Sequence, residues 1–278
     1  MGLRVLAEDA VGVLVGEAVA KGGRRLRRAM VMVGEGEEDG IHQVRVACRR
    51  LRSDLKLFKG LLVAGELRTE LSALANACGE ARDLEVIAAL VRETANSEDE
   101  PAHVEQIVQT LTAGLQVASA RAAEVVAGER TAALVRALET MAASPQLKRK
   151  AAEPCGEVLP ELLDSAVQKF VGEADKLQPW TQDDDWHEVR LLAKRMRYAA
   201  NTCATVLGAE AKATAVQAAR YQELLGQHQD QCAAAEALTA LVSDAEPKLA
   251  FTLGRLVERH RAARKPLREE FLGLYHRS

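Results

Sequence analysis

His42-Gln43-Val44-Arg45-Val46-Ala47-Cys48-Arg49-Arg50-Leu51-Arg52-Ser53-Asp54-Leu55-Lys56-Leu57-Phe58-Lys59 decides how the rest of this chain is read. Wound as an α-helix with His42 at zero, Arg45, Arg49, Arg52, Lys56 and Lys59 fall between about 260° and 340°. Val44, Leu51, Leu55, Phe58 and Leu62 fall between about 140° and 220°, which makes a separate apolar face. Arg50, at about 80°, is off the basic stripe. The stretch therefore predicts a helix, Ile41 to Val63, that buries one side and ranks positive charge along another.

The same pattern occurs a second time. His187-Glu188-Val189-Arg190 followed by Lys194-Arg195-Met196-Arg197-Tyr198 repeats it 145 residues later (187 against 42, 197 against 52). His187, Arg190, Lys194 and Arg197 share one stripe, Asn201 stands where Lys56 stood, and Val189, Leu192, Met196 and Cys203 form the apolar face. Gly79 to Asp83 is echoed by Gly226 to Asp230, and each Asp is expected to cap the helix that follows. A duplication explains these echoes: residues 1–147 and 148–278 are expected to be two similar four-helix bundles, related by an approximate two-fold axis, in one compact all-α domain.

Apolar periodicity places the other helices at Gly2 to Val33, Glu66 to Cys78, Asp83 to Ala95 and two stretches ending near Ala143. The second half is expected to hold Glu157 to Lys176, Asp185 to Leu207, Glu210 to Leu225, Asp230 to Ser243 and Pro247 to Arg264. Pro266 is expected to end or kink the last of these, with a short helix beyond it to Tyr275. No useful strand alternation of Val, Ile or Thr occurs.

Composition agrees. Of 278 residues 48% are hydrophobic and only 3% aromatic, which suits a well-buried helical core. No apolar run approaches the ~20 residues of a membrane span, and the N-terminus lacks the order of a signal peptide. Five cysteines lie far apart with no C-x-x-C pair, which points to free thiols in a cytoplasmic setting and against zinc. The net charge of −3 conceals local segregation: Ile41 to Gly60 carries six cations against Asp54 alone. Like charges three and four residues apart repel by a few tenths of a kcal/mol per pair. Ordinary surface helices interleave acids to avoid that cost; these two do not, as an anion site requires. Arginine grips phosphate with a planar fork, and histidine adds a donor whose charge rises toward about pH 6.5.

His-x-x-Arg-x-x-x-Arg-Arg-Leu-Arg and His-x-x-Arg-x-x-x-Lys-Arg-Met-Arg-Tyr resemble the conserved-histidine α-helical domain, CHAD. Gly79…Arg82-Asp83 and Gln222-x-Leu224-x-Gly226…Asp230 resemble it too. The resemblance implies two four-helix bundles around a central basic channel, binding of inorganic polyphosphate, and association with polyphosphate granules. It carries over to His42, Arg45, Arg49, Arg50 and Arg52, to Arg82, and to His187, Arg190, Lys194, Arg195, Arg197 and Tyr198. Lys56 extends the first stripe. Arg24, Arg28, Lys59, Arg255 and Arg259 are further candidates, and Arg25, Arg27, Lys148 to Lys150 and Arg264 complete the basic clusters. No cofactor or metal is expected.

Three rival classes are weaker: an enzyme, a histidine phosphotransfer domain and a nucleic-acid binder. A zinc hydrolase needs H-E-x-x-H, but His187-Glu188 is followed by Leu191. A phosphate-chain hydrolase of the tunnel type needs E-x-E-x-K, but Glu35-x-Glu37 is followed by Asp39. A histidine phosphotransfer domain needs one exposed histidine, not two in long basic stripes. Nucleic acid is disfavoured because few aromatics are present to stack bases.

Overall fold

The computed structural model describes residues 5–277, so the expected helix start at Gly2 lies outside the described residues. Among those residues the structure is helical throughout: α1 (Val11–Gly34), α2 (Gly40–Leu57), α3 (Leu67–Ala77), α4 (Gly79–Thr94), α5 (Pro101–Ala127), α6 (Glu129–Ala143), α7 (Cys155–Ala174), α8 (Asp183–Leu207), α9 (Ala209–Val242) and α10 (Pro247–Tyr275). Their only β pairing is two isolated bridges, Ala10 with Pro154 and Leu62 with Leu147. Proline opens α5 and α10, where its missing N–H costs nothing and its fixed φ favours helix.

Three expected breaks are corrected. Gly226 interrupts nothing: α9 runs on from Ala209 to Val242. A helical glycine costs only about 1 kcal/mol, and the buried neighbours Leu224, Leu225 and His228 hold the helix on both sides. Likewise α4 already begins at Gly79. Asp83 and Asp230 therefore lie inside helices and cap neither. Pro266 does not end α10, which continues to Tyr275. The carbonyl that loses its partner belongs to exposed Ala262, where water can satisfy it. Beyond the proline, buried Phe271 and the bonds of Arg268 to the carbonyls of Pro179 (2.9 Å) and Thr181 (3.0 Å) keep the last turns in place. The motif helix is shorter than expected, passing at Phe58–Gly60 into a 3₁₀ turn.

Two compact units divide the chain, and each draws on both halves of the sequence. The first holds Met1–Gly79, Ser119–Val171 and Lys194–Ala218; the second holds Glu80–Ala118, Gly172–Ala193 and Ala219–Ser278. In the first, Leu51 and Leu55 of α2 and Phe58 of the 3₁₀ turn share one core with Val15, Val19 and Leu26 of α1, Leu138 of α6, Leu159 of α7, and Ala199, Ala200 and Cys203 of α8. The C-terminal part of the second motif helix thus contributes to the same core as the first. Gly22 lets α1 lie close on α2, because a Cβ there would run into Leu51. In the second unit, Ile87 and Val91 of α4 pack with Ile107, Val108 and Leu111 of α5, Ala234 and Leu238 of α9, and Leu253, Leu256 and Val257 of α10.

Candidate anion-binding site

Burial of Val44, Leu51 and Leu55 fixes the rotation of α2 in the first unit. The opposite flank is therefore held in place: Arg45, Arg49, Arg52 and Lys56 are all half-buried, short of full solvation. Arg52 is held below the usual guanidinium pKa by burial first, and then by Arg68, Arg195 and Arg49. Lys56 is lowered in the same way, by burial and then by Arg195, Arg68, Lys59 and Lys169. Of the five cations that act on them, Arg49, Lys59 and Arg195 come from the two motif stretches and two do not. Arg68 lies on α3 and Lys169 on α7, where Lys169 donates to Ser165 Oγ at 2.9 Å. Neither belongs to a repeated pattern, so the sequence carried no signal for them. The cluster concentrates positive charge that its own members oppose, and an anion would relieve that repulsion.

The second motif helix contributes unevenly. Arg195, the repeat counterpart of Arg50, is the residue that acts on Arg52 and Lys56. Arg50 instead faces away from the stripe, with its guanidinium 5.8 Å from the Tyr198 ring centroid. Both line a pocket of about 800 Å³ with Lys21, Arg24, Arg25 and Asp54. Arg50 and Tyr198 are thus set apart from the stripe, as the off-stripe angle of Arg50 requires. Lys194 and Arg197 are half-buried on α8. In the second unit, His187 Nδ1 bonds Gln229 Oε1, and His187 and Arg190 are half-buried. His42 is half-buried near the start of α2.

Other sequence candidates are engaged elsewhere. Arg82 pairs with Glu85 at 2.8 Å, one turn along α4. Arg255 bonds the Glu98 carboxylate at 2.5 Å and its carbonyl at 2.8 Å; Arg259 bonds Asp99 and, at 3.1 Å, Asn96 Oδ1. These two arginines lock the α4–α5 connection onto α10, and their charge is answered inside the protein. Arg27 pairs with Glu139, Lys150 with Glu161, and Lys148 donates to the Lys59 carbonyl at 2.7 Å. Lys59, Arg24 and Arg28 remain exposed.

One cluster in the second unit has metal-like spacing. Asp183, His228 and Cys232 each offer a ligand atom within 4.8 Å of the others. Arg268 holds that position, however: it bonds Asp183 and donates from Nε to His228 Nε2 at 3.0 Å. Arg264 also bonds Asp183. Two guanidinium groups stand where a cation would enter, so the donor set does not fit a metal ion. Burial first, then Arg268, lowers the His228 pKa to about 4, so the ring is neutral and accepts at Nε2. Asp183 experiences burial in the opposite sense, but Arg264 and Arg268 outweigh it and hold the carboxyl below its usual pKa. All five cysteines are free and buried.

Comparison with known proteins places this arrangement. The chain is 28% identical over 253 residues to an uncharacterized protein of Mycobacterium tuberculosis, MT2285; the match covers 84% of the chain but 46% of that protein, so the chain spans about half its length. The CHAD domain of the plant Ricinus communis has the same fold, with a TM-score of 0.83 at 22% identity, over 99% of this chain and 95% of that one. PptA from Streptomyces chartreusis superposes with a TM-score of 0.80 at 19% identity, over 96% of this chain and 100% of that one. The sequence pattern that defines the CHAD domain matches residues 17–239, which include both histidine helices. The chain belongs to the CHAD domain family.

Proposed function

We propose that the protein binds inorganic polyphosphate along the basic stripe of α2 and the cations of α8, and that it is a binding module rather than an enzyme. The observation that carries this reading is the state of Lys56: half-buried, with Arg195, Arg68, Lys59 and Lys169 all acting against its charge. Burial and like charges both disfavour the charged form of such a lysine, and a bound anion favours it. A chain of phosphates supplies repeated charge at short intervals, and arginine forks bind it in pairs. Membership of the CHAD family supports the same ligand. In this proposal Arg45, Arg49, Arg52, Lys56 and Arg195 form the centre and His42, Lys194 and Arg197 extend it, while His187 and Arg190 offer their contacts in the second unit. The halves 1–147 and 148–278 are the products of one duplication. The protein works in the cytoplasm, on polyphosphate granules.

Calorimetric titration with long-chain polyphosphate tests it. Arg52→Ala and Lys56→Ala should each weaken binding by about tenfold, the loss of one charge-assisted contact. Their circular dichroism should be unchanged and their melting temperatures equal or higher, because repulsion has been removed. Unchanged affinity in both variants would overturn the site. Phosphate release from polyphosphate with Mg²⁺ or Mn²⁺, abolished by Arg52→Ala, would overturn the binding-only reading.

A further inference from the structure

We propose that the groove between α1, α2 and α8 in the first unit is a second anion site, separate from the basic stripe, and that it takes a phosphorylated organic molecule of nucleotide size. The cavity is about 800 Å³, within the range of about 300–1,000 Å³ that small-molecule sites occupy. Lys21, Arg24 and Arg25 project into it from α1 and Arg50 from α2, against Glu17 and Asp54. Four cations therefore face two carboxylates. Arg25 is held below the usual guanidinium pKa by burial first and then by Arg50, with Asp54 opposing. Among the described residues that line it, the pocket keeps a positive surplus.

The remaining lining is unlike a bare phosphate site. Val5, Leu14 and Ala18 form an apolar wall. The Tyr198 ring lies beside the Arg50 guanidinium at 5.8 Å, the pairing that stacks on a planar base. Asp54 sits on the same wall, accepting a hydrogen bond from Thr202 Oγ1 at 2.9 Å. A carboxylate repels inorganic phosphate but accepts a hydrogen bond from a ribose hydroxyl or an exocyclic amino group. A smaller cavity of about 220 Å³ adjoins at Arg25 and Arg50 and adds Arg28 and Gln43. The two cavities divide the ligand: phosphates between Arg25, Arg28 and Arg50, and the organic body between Tyr198, Asp54 and Leu14.

On α2 this groove and the stripe are different faces, so single variants separate them. The experiment is calorimetric titration of the purified chain with ATP, with inorganic tripolyphosphate as the bare chain of equal phosphate number, and with long-chain polyphosphate. ATP should bind saturably and about tenfold more tightly than tripolyphosphate. Arg25→Ala should weaken ATP by about tenfold while changing long-chain polyphosphate less than about twofold. Arg52→Ala should do the reverse. Asp54→Asn should weaken the preference for ATP over tripolyphosphate, because a repelling charge is gone. Lys21→Ala, at an exposed position, serves if Arg25→Ala fails to fold, and should weaken ATP in the same sense. No ATP binding up to about 1 mM, or ATP binding lost in Arg52→Ala and retained in Arg25→Ala, would overturn the second site. Neither result touches the polyphosphate reading, which stands or falls on Arg52 and Lys56.

Discussion

Asp54 lies on the opposite flank of α2 from the basic stripe and shows what tertiary contacts do to one carboxyl. Burial raises its pKa to about 6, and the Thr202 hydroxyl, Arg25, Arg50 and Lys21 only partly oppose the rise. An unfolded Asp titrates near 3.9, so the folded chain binds this proton more tightly. Stability from this group is fully present at low pH and is lost as pH rises from about 4 through about 6. Asp54→Asn, which keeps an acceptor for Thr202, should therefore raise stability at pH 8 by on the order of 2 kcal/mol. The gain should shrink below about pH 6; thermal melts at pH 8 and pH 4.5 measure both. A neighbouring residue illustrates a different limit. Cys48, one turn before Arg52, is pushed up to about 12 by burial above all, so a thiol beside a basic stripe is kept from becoming a thiolate.

At the scale of the element, a helix end is decided by what it docks against as much as by its own residues. Pro266 and Gly226 are both local breakers, and both are overridden. The extension of α10 past Pro266 hangs on Arg268, which bonds the carbonyls of Pro179 and Thr181, Asp183, and His228 Nε2. Arg268 also stacks its guanidinium 5.3 Å from the Trp186 ring centroid. Arg268→Ala should cost about 3 kcal/mol in urea unfolding, since it leaves a buried imidazole and two carbonyls without their donor and takes one of two guanidinium partners from Asp183. Arg268→Lys should recover little, because an ammonium cannot reach four acceptors in a planar fork. Loss of less than about 1 kcal/mol in Arg268→Ala would mean that Phe271 and its aromatic neighbours hold the terminal turns alone.

The whole molecule carries a net charge of −3, yet the proposed ligand is a polyanion. Local concentration of charge resolves the conflict: the stripe's cations face one another while most acids stand elsewhere, as in Asp183, which is held by Arg264 and Arg268. Binding that depends on such a local field should be steeply sensitive to salt. By analogy with nucleic acids, each phosphate neutralised contributes a slope of about −0.7 to −0.9 in log affinity against log salt. Five or so central cations predict a slope of about −4, measured by titration between low and physiological ionic strength. Arg52→Ala should reduce it by about one. A flat salt response would rule out counterion release as the source of affinity.

The sequence by itself determined the helical class, the two histidine helices and their rotation about their own axes. Those properties depend on a short repeating geometry, 3.6 residues per turn, that the order of apolar and charged residues encodes directly. The off-stripe angle of Arg50 was legible in the same way, and the structure turns it toward Tyr198. Only the tertiary structure decided that Arg195 joins Arg52 and Lys56, that Arg68 and Lys169 stand with them, and that Arg255 and Arg259 are answered by Glu98 and Asp99. These are meetings of residues from a dozen to more than a hundred positions apart, on helices whose periodicity fixes which face is buried but not which helix will cover it. The same limit applies to Gly226 and Pro266. Local propensity assigns a cost of about 1 to 3 kcal/mol to a breaker, and packing between distant segments is what outweighs it.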